Sequence, residues 1–231
     1  MKGMSIIMPF DYGREEQFVN TIEEYEKYGV PDDVELVIVT RSFDKGFVPW
    51  EHKYKIVTYD FEGKSFNPSM ALNLGVKNAT YNNVVITCPE VKPLTNVLQQ
   101  LKALDCGNYV TQVFDENEHG EMFMSLVNSS FRSQTPAMYF LACFKKEDIL
   151  KINGWDEDFM NGYAYEDDDF GFRFVSAGNT FEVRDEIQSV HQYHQRGSMS
   201  DPLTHINRTL YYNNVKNGVT RCENGLMKRN E

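Results

Sequence analysis

Val34-Glu-Leu-Val-Ile-Val-Thr40 is an almost unbroken run of aliphatic, mostly β-branched residues. It is too short for an ordinary helix and lacks the alternation of a strand with one wet face, so it reads as a strand buried on both sides. Ser5-Ile-Ile-Met-Pro9 has the same character, and Lys53-Tyr-Lys-Ile-Val-Thr58 supplies a third strand. Between the first two, Gly13 to Tyr28 places Phe18, Ile22 and Tyr25 on one helical face. A strand, helix, strand rhythm with apolar strands predicts an α/β domain whose mostly parallel sheet is covered on both faces. In such sheets ligands sit beyond the carboxyl ends of the strands, which directs attention to Pro9 to Arg14 and Thr40 to Phe43.

At 231 residues the chain can bury a substantial core as one domain. Lys and Arg number 23 against 34 Asp and Glu, a net charge of −11, which argues against a broad nucleic-acid or anionic-membrane surface. The start, Met1-Lys-Gly-Met-Ser-Ile-Ile-Met-Pro-Phe10, is too short an apolar run for a signal peptide or transmembrane anchor. Cys88, Cys106, Cys143 and Cys222 have no paired metal-site spacing, so a zinc site is not expected and a reducing, cytoplasmic compartment is.

A second stretch carries the chemistry: Asn161-Gly-Tyr-Ala-Tyr-Glu-Asp-Asp-Asp-Phe-Gly-Phe-Arg-Phe174. Phe170, Arg173, Phe174 and Ala177 recur at helical spacing up to Gly178, so the acids Glu166 to Asp169 fall in a first helical turn. Carboxylates there suit the helix dipole, and a solvated helix start is one reading. The other is a site, because crowded like charges oppose ionisation and the preceding aromatics suit a sugar ring. The pattern alone leaves the two even.

Resemblance separates them. Ala137-Met-Tyr-Phe-Leu-Ala-Cys-Phe-Lys-Lys-Glu-Asp-Ile-Leu-Lys-Ile-Asn-Gly-Trp155, running on to Glu166-Asp-Asp-Asp169, resembles the C-terminal, acceptor-binding part of the β-1,4-galactosyltransferases. Glu166-Asp-x-Asp-Phe-Gly-Phe-Arg173 is similar to bacterial chondroitin polymerase and glycosyltransferase family 2. The resemblance implies a GT-A fold, a Rossmann-like sheet flanked by helices. It further implies a nucleotide-sugar-binding half over residues 1–93, an acceptor-binding and catalytic half over 94–200, and a C-terminal helix and tail over 201–231.

It also implies roles. Asp167, directly after the Glu of the motif, is the base of an inverting reaction, with Glu166 and Asp168 raising its proton affinity and Glu166 bonding acceptor hydroxyls. Tyr163 stands at the acceptor-stacking Trp position and, with Asp168, on the acceptor side, while the family's Gly-Gly has become Ala164-Tyr165. On the donor side, Pro9-Phe10-Asp11-Tyr12-Gly13-Arg14 resembles the Pro-Phe-Arg-Asn-Arg segment that holds the nucleotide, Arg14 replacing its second Arg and Asp11 its first. Phe66-Asn-Pro-Ser-Met-Ala-Leu-Asn-Leu-Gly75 is similar to the donor-side helix and nominates Asn67 and Asn73. Cys88-Pro-Glu90 lies where the family has Asp-x-Asp, with Cys88 on the first acid and Glu90 on the second.

By the same resemblance, Glu90, His194 and His191 are the ligand set for Mn²⁺ or Mg²⁺. From the residues alone, two imidazoles three positions apart could both reach a metal, but such pairs are more often ordinary polar contacts. The reading is a metal-dependent, inverting glycosyltransferase that moves a sugar from a UDP-sugar to a hydroxyl of a glycan or other acceptor. Its alternatives are a non-catalytic binding or assembly module, motivated by Cys88, and a DNA-modifying glycosyltransferase of the phage type, against which the net charge weighs. Trp155 reads as core, Val110 to Thr135 carries no assignable pattern, and His205 to Lys216 reads as a helix with Ile206, Leu210, Tyr211 and Val215 inward. The tail from Asn217 is expected to fray.

Overall fold

The computed structural model describes residues 3–41, 54–59, 66–123, 140–195, 200 and 202–227. In chain order they form β1 (Met4–Phe10), α1 (Glu15–Tyr28), β2 (Val34–Thr40), β3 (Tyr54–Thr58), α2 (Pro68–Asn78), β4 (Asn83–Thr87) and β5 (Val91–Pro93). Then follow α3 (Val97–Ala103), β6 (Tyr109–Glu116), β7 (Met122–Phe123), β8 (Leu141–Lys145), α4 (Lys146–Lys151), a 3₁₀ turn (Glu157–Asn161), α5 (Glu166–Ser176), β9 (Glu182–His191) and α6 (Pro202–Asn217). One sheet runs β3-β2-β1-β4-β8-β6-β9-β5, with β7 on β6. Its first four strands are parallel, as expected. Beyond β4 the sheet is mixed: β8 is antiparallel to both β4 and β6, and β5 is antiparallel to β9.

The sheet has a core on each face. Phe18 and Ile22 of α1 and Leu98 and Leu101 of α3 pack with Met8, Phe10 and Ile38 on one side. On the other, Leu72 and Val76 of α2 join Trp155, Phe170 and Phe174 over Ile7, Ile86 and Phe144. Helix α2 lies so close to β1 that a Cβ at Gly75 would meet Ile7 Cγ2 at 2.1 Å, so only glycine permits that approach.

Helix α5 is fixed by an internal ion pair. Asp169 and Arg173, both with fully buried side chains, meet at 2.6 Å one helical turn apart. Arg173 Nη1 also donates to the carbonyls of Ile152 and Gly154, each at 2.9 Å, and Asp169 Oδ1 accepts from Asn214 of α6 at 2.8 Å. Beside this pair Trp155 stacks on Phe170, rings 4.1 Å apart and 8° from parallel, which confirms Trp155 as core.

Two expectations are corrected. The inward face of α6 carries Thr204 and Asn207, while Ile206 is 46% exposed. Its inner side meets backbone polar groups rather than an apolar core, as shown below. The tail does not fray up to Met227: Cys222 and Leu226 are buried, and Asn153 donates to the Cys222 and Met227 carbonyls and accepts from the Met227 amide. The Asn153 side chain supplies the partners that composition could not reveal.

Replacing Arg173 by Leu strands a buried carboxylate and two carbonyls, so we expect a loss of about 3–5 kcal/mol, a drop in Tm of roughly 10 °C. Thermal unfolding followed by circular dichroism tests this, and a Tm within a degree of wild type would contradict it.

Candidate active site

A cleft of about 720 Å³ opens beyond the carboxyl ends of β1, β2 and β4, where a sheet of this kind holds ligands. Pro9, Asp11, Tyr12, Arg14 and Arg41 come from the ends of β1 and β2, Asn67 from the start of α2, and Cys88 and Glu90 from the loop after β4. Tyr163, Ala164, Glu166, Asp167 and Asn207 form the opposite wall. Of the residues nominated from sequence, Phe10, Asn73, Asp168, His191 and His194 are not part of that lining. Phe10 is 2% exposed and packs on Phe18 at 5.1 Å. Asn73 Nδ2 donates to the Trp155 carbonyl at 2.8 Å and to Glu157 at 3.0 Å, and its Oδ1 accepts from the Trp155 amide at 2.9 Å, so its amide binds protein rather than ligand. Asn67 caps α2 by accepting from the Met70 amide, and also borders the cleft.

The sequence reading pointed to Thr40 to Phe43 but did not nominate Arg41. The parallel register pairs Phe10 with Thr40 and so places Asp11 beside Arg41. Arg41 Nη2 lies 2.7 Å from each Asp11 carboxylate oxygen and its Nε 3.0 Å from Oδ1. A guanidinium thus stands in the cleft mouth beside the position where the family's first Arg has become Asp11. Neighbouring strand ends alone were the available signal.

Pairing of β5 with β9 sets the Glu90 side of the cleft. The Gln192 amide donates to the Glu90 carbonyl at 2.8 Å, and the Gln192 side chain reaches the same carbonyl and Thr21 Oγ1. Glu90 Oε1 accepts from Arg14 Nε at 2.6 Å and lies 3.8 Å from His194 Nε2. His194 Nδ1 faces the Gln195 carbonyl at 2.9 Å. A carbonyl can only accept, so Nδ1 carries the proton and Nε2 presents its lone pair towards Glu90. Burial holds the His194 pKa below its ordinary value, so the ring is neutral at pH 7. Two acceptors facing one another suit a cation, and a carboxylate with a neutral imidazole is a donor pair that divalent manganese accepts. The His191 ring stands 5.1 Å from that of His194, but its Nδ1 lies 3.4 Å from Asp115 Oδ1, opposite it in the β6/β9 ladder. Among the described residues no three His, Cys, Asp or Glu side chains form a group that could hold a metal ion. Cys88 is buried, and burial followed by the Glu90 charge pushes its thiol well above the ordinary value, so it stays protonated.

On the facing wall Glu166 and Asp167 begin α5 without a side-chain cap. Asp168 N donates to Asp167 Oδ1 at 2.9 Å. Burial raises the Asp167 pKa well above its ordinary value, and the charges of Glu166 and Asp168 raise it further. Glu166 is raised too, by burial and then by Asp168, against an opposing backbone hydrogen bond. Ala164 (φ 59°) and Tyr165 (φ 72°), which lead into these acids, are left-handed without being glycine, a strain of roughly 1–2 kcal/mol per residue. Tyr163 is 37% exposed on the rim, and Asp168 follows on the helix.

The family model described as the N-terminal domain of galactosyltransferase matches residues 123–196, the segment that carries Tyr163, the four acids and both histidines. A crystal structure of S. aureus TarS 1-349 superposes with a TM-score of 0.63 at 15% sequence identity, covering 82% of this chain and 60% of that one. The chain therefore spans about three fifths of that structure's length. No curated protein sequence matches significantly. The chain thus has a GT-A-like fold, and its residues 123–196 form a galactosyltransferase-like segment.

A carboxyl whose pKa is raised by folding favours the folded state only while protonated, and that stabilisation is lost as pH rises through the raised pKa. Asp167→Asn keeps the Oδ1 acceptor without the charge, so at pH 7 it should raise Tm by about 2–4 °C. The gain should shrink towards the ordinary carboxylate range, and calorimetry across pH 4–8 checks both.

Proposed function

We propose that the protein transfers a sugar from a nucleotide diphosphate donor to a hydroxyl of a glycan or similar acceptor, with inversion at the anomeric carbon. A UDP-sugar is the donor class its galactosyltransferase resemblance favours. One observation carries the reading: a carboxylate of raised proton affinity, Asp167, shares a single cleft with the guanidinium groups of Arg14 and Arg41. A base and an anion-binding side in one cavity are what displacement of a diphosphate by a hydroxyl requires. The cavity volume lies within the usual range for small-molecule sites of about 300–1,000 Å³.

In the proposed step Asp167 accepts the proton of the acceptor hydroxyl while that oxygen bonds to the anomeric carbon. The bond from that carbon to the diphosphate oxygen breaks, and the leaving group keeps the electron pair. Asp167 in the raised-pKa form is better matched to this transfer near neutral pH than an ordinary carboxylate. Glu166 hydrogen-bonds the acceptor and Tyr163 offers a ring face to the sugar. Arg14 and Arg41 bind the diphosphate, fork to oxygen. Glu90 and His194 are the residues that would hold Mn²⁺ or Mg²⁺, and such an ion, when bound, supplies positive charge against the leaving diphosphate. His191, oriented by Asp115, would complete the set only through its other nitrogen.

Four free cysteines fit a reducing compartment, and none of the described helices is long and apolar enough to cross a membrane. Cys88 in place of an acid keeps a second reading in view, a binding module that recognises a nucleotide sugar without turning it over.

A panel of nucleotide sugars scored for released nucleoside diphosphate, with Mn²⁺, Mg²⁺ or EDTA, tests the proposal on wild type and His194→Ala. Metal-dependent turnover of one donor, lost in His194→Ala, is expected. Binding of a donor without turnover under every condition would favour the binding module. With the reactive donor, Arg41→Ala should raise KM by about 10–100-fold, the loss of a charge-assisted hydrogen bond. An unchanged KM would remove Arg41 from the donor site.

A further inference from the structure

The turn that delivers Glu166 and Asp167 is left-handed at two consecutive residues that are not glycine, Ala164 and Tyr165. What holds it comes from α6. Asn207, 1% exposed, donates from Nδ2 to the carbonyls of Phe159 (3.0 Å) and Ala164 (2.7 Å), bridging the two ends of the segment. Its Oδ1 presses on Gly162, where a Cβ would sit 2.2 Å away. The Tyr163 amide donates to the Leu203 carbonyl at 3.2 Å, and the Tyr211 ring stacks on Tyr165 with centroids 5.7 Å apart. Asn214 closes the row on Asp169. Asn207, Tyr211 and Asn214 recur at intervals of four and three, so they line one face of the helix. That face is polar and aromatic because it packs on backbone carbonyls and a tyrosine ring; Leu203 contributes only its carbonyl, and its side chain, like that of Ile206, faces water.

We propose that α6 is a positioning element for the catalytic acids: Asn207 and Tyr211 hold the left-handed Ala164–Tyr165 backbone and so set where Glu166 and Asp167 point. Neither residue needs to touch the reacting atoms. The proposal rests on the transferase reading for what the acids do, and on the contacts of α6 alone for how they are held. Asn207→Ala removes both donors, and an L-residue at φ near +60° then drifts towards the ordinary regions. Asp167 leaves its working geometry while the guanidinium side of the cleft stays in place. Glycine at residue 164 takes the same φ without strain.

The experiment compares wild type, Asn207→Ala, Ala164→Gly and the Asn207→Ala/Ala164→Gly double variant by steady-state kinetics and by hydrogen exchange of backbone amides. Asn207→Ala should lower kcat by about 10²-fold with donor KM nearly unchanged, the cost of a small displacement of a reacting group. Exchange at the amides of residues 165–169 should rise about tenfold while those of β1 and β4 stay protected. The double variant should recover a large part of kcat, which a purely structural loss would not allow. Unchanged kcat and local exchange in Asn207→Ala would overturn the proposal, as would a uniform rise in exchange with no rescue. If wild type turns over no donor, the transferase reading fails, and local exchange at 165–169 alone decides the coupling. Should Asn207→Ala not fold, Tyr211→Ala, at a half-buried ring, carries the same measurements.

Discussion

A buried carboxylate bonded to a buried guanidinium, Asp169 to Arg173 at 2.6 Å, is the contact on which the acidic wall of the cleft depends. Such a pair gains little over apolar replacements but costs dearly when half removed, so its value lies in what it orients. Here Arg173 ties α5 to the carbonyls of Ile152 and Gly154, and Asp169 ties it to α6 through Asn214. With three elements locked at the base of the helix, its first turn projects Glu166 and Asp167 into the cleft. The crowding of acids there works against stability, because burial and mutual repulsion raise proton affinity, and that raised affinity is what the proposed base requires.

The opposite wall is built by strand register. Pairing of β1 with β2 brings Arg41 against Asp11, and pairing of β5 with β9 brings Glu90 against Gln192 and His194. Arg14 and Arg41 each pair with a carboxylate, Glu90 and Asp11, so this wall carries two guanidinium groups whose charge is balanced locally. The sheet fixes this wall and the α5–α6 contact fixes the other, leaving the two halves of the proposed reaction on separately anchored surfaces.

The first half of the fold was legible because buried parallel strands are continuous apolar runs: β2 was read to its observed ends, and β1 and α1 to within two residues. In the second half α5 and α6 were legible from their helical periods, but β6 and β7 were not, because β6 is partly polar and β7 only two residues long. Ile206 misled for a physical reason: periodicity assumes that a helix buries its apolar face, and α6 instead packs amide and phenol groups on a polar turn. Asn73 looked like a ligand-binding amide from its motif, but only the fold shows that Trp155 consumes it. Glu166 and Asp167 were legible as residues, and their cleft came from placement. The segment from Ala137 to Tyr139 within the quoted resemblance lies outside the described residues.

Donor affinity and sugar transfer measured side by side in Asp167→Asn address the division of labour between the two walls most directly. If Asp167 is the base and the donor is held opposite, the variant should bind the nucleotide sugar as wild type does and lose transfer by about 10²–10⁴-fold. Transfer at the wild-type rate, or loss of donor affinity together with transfer, would contradict that division.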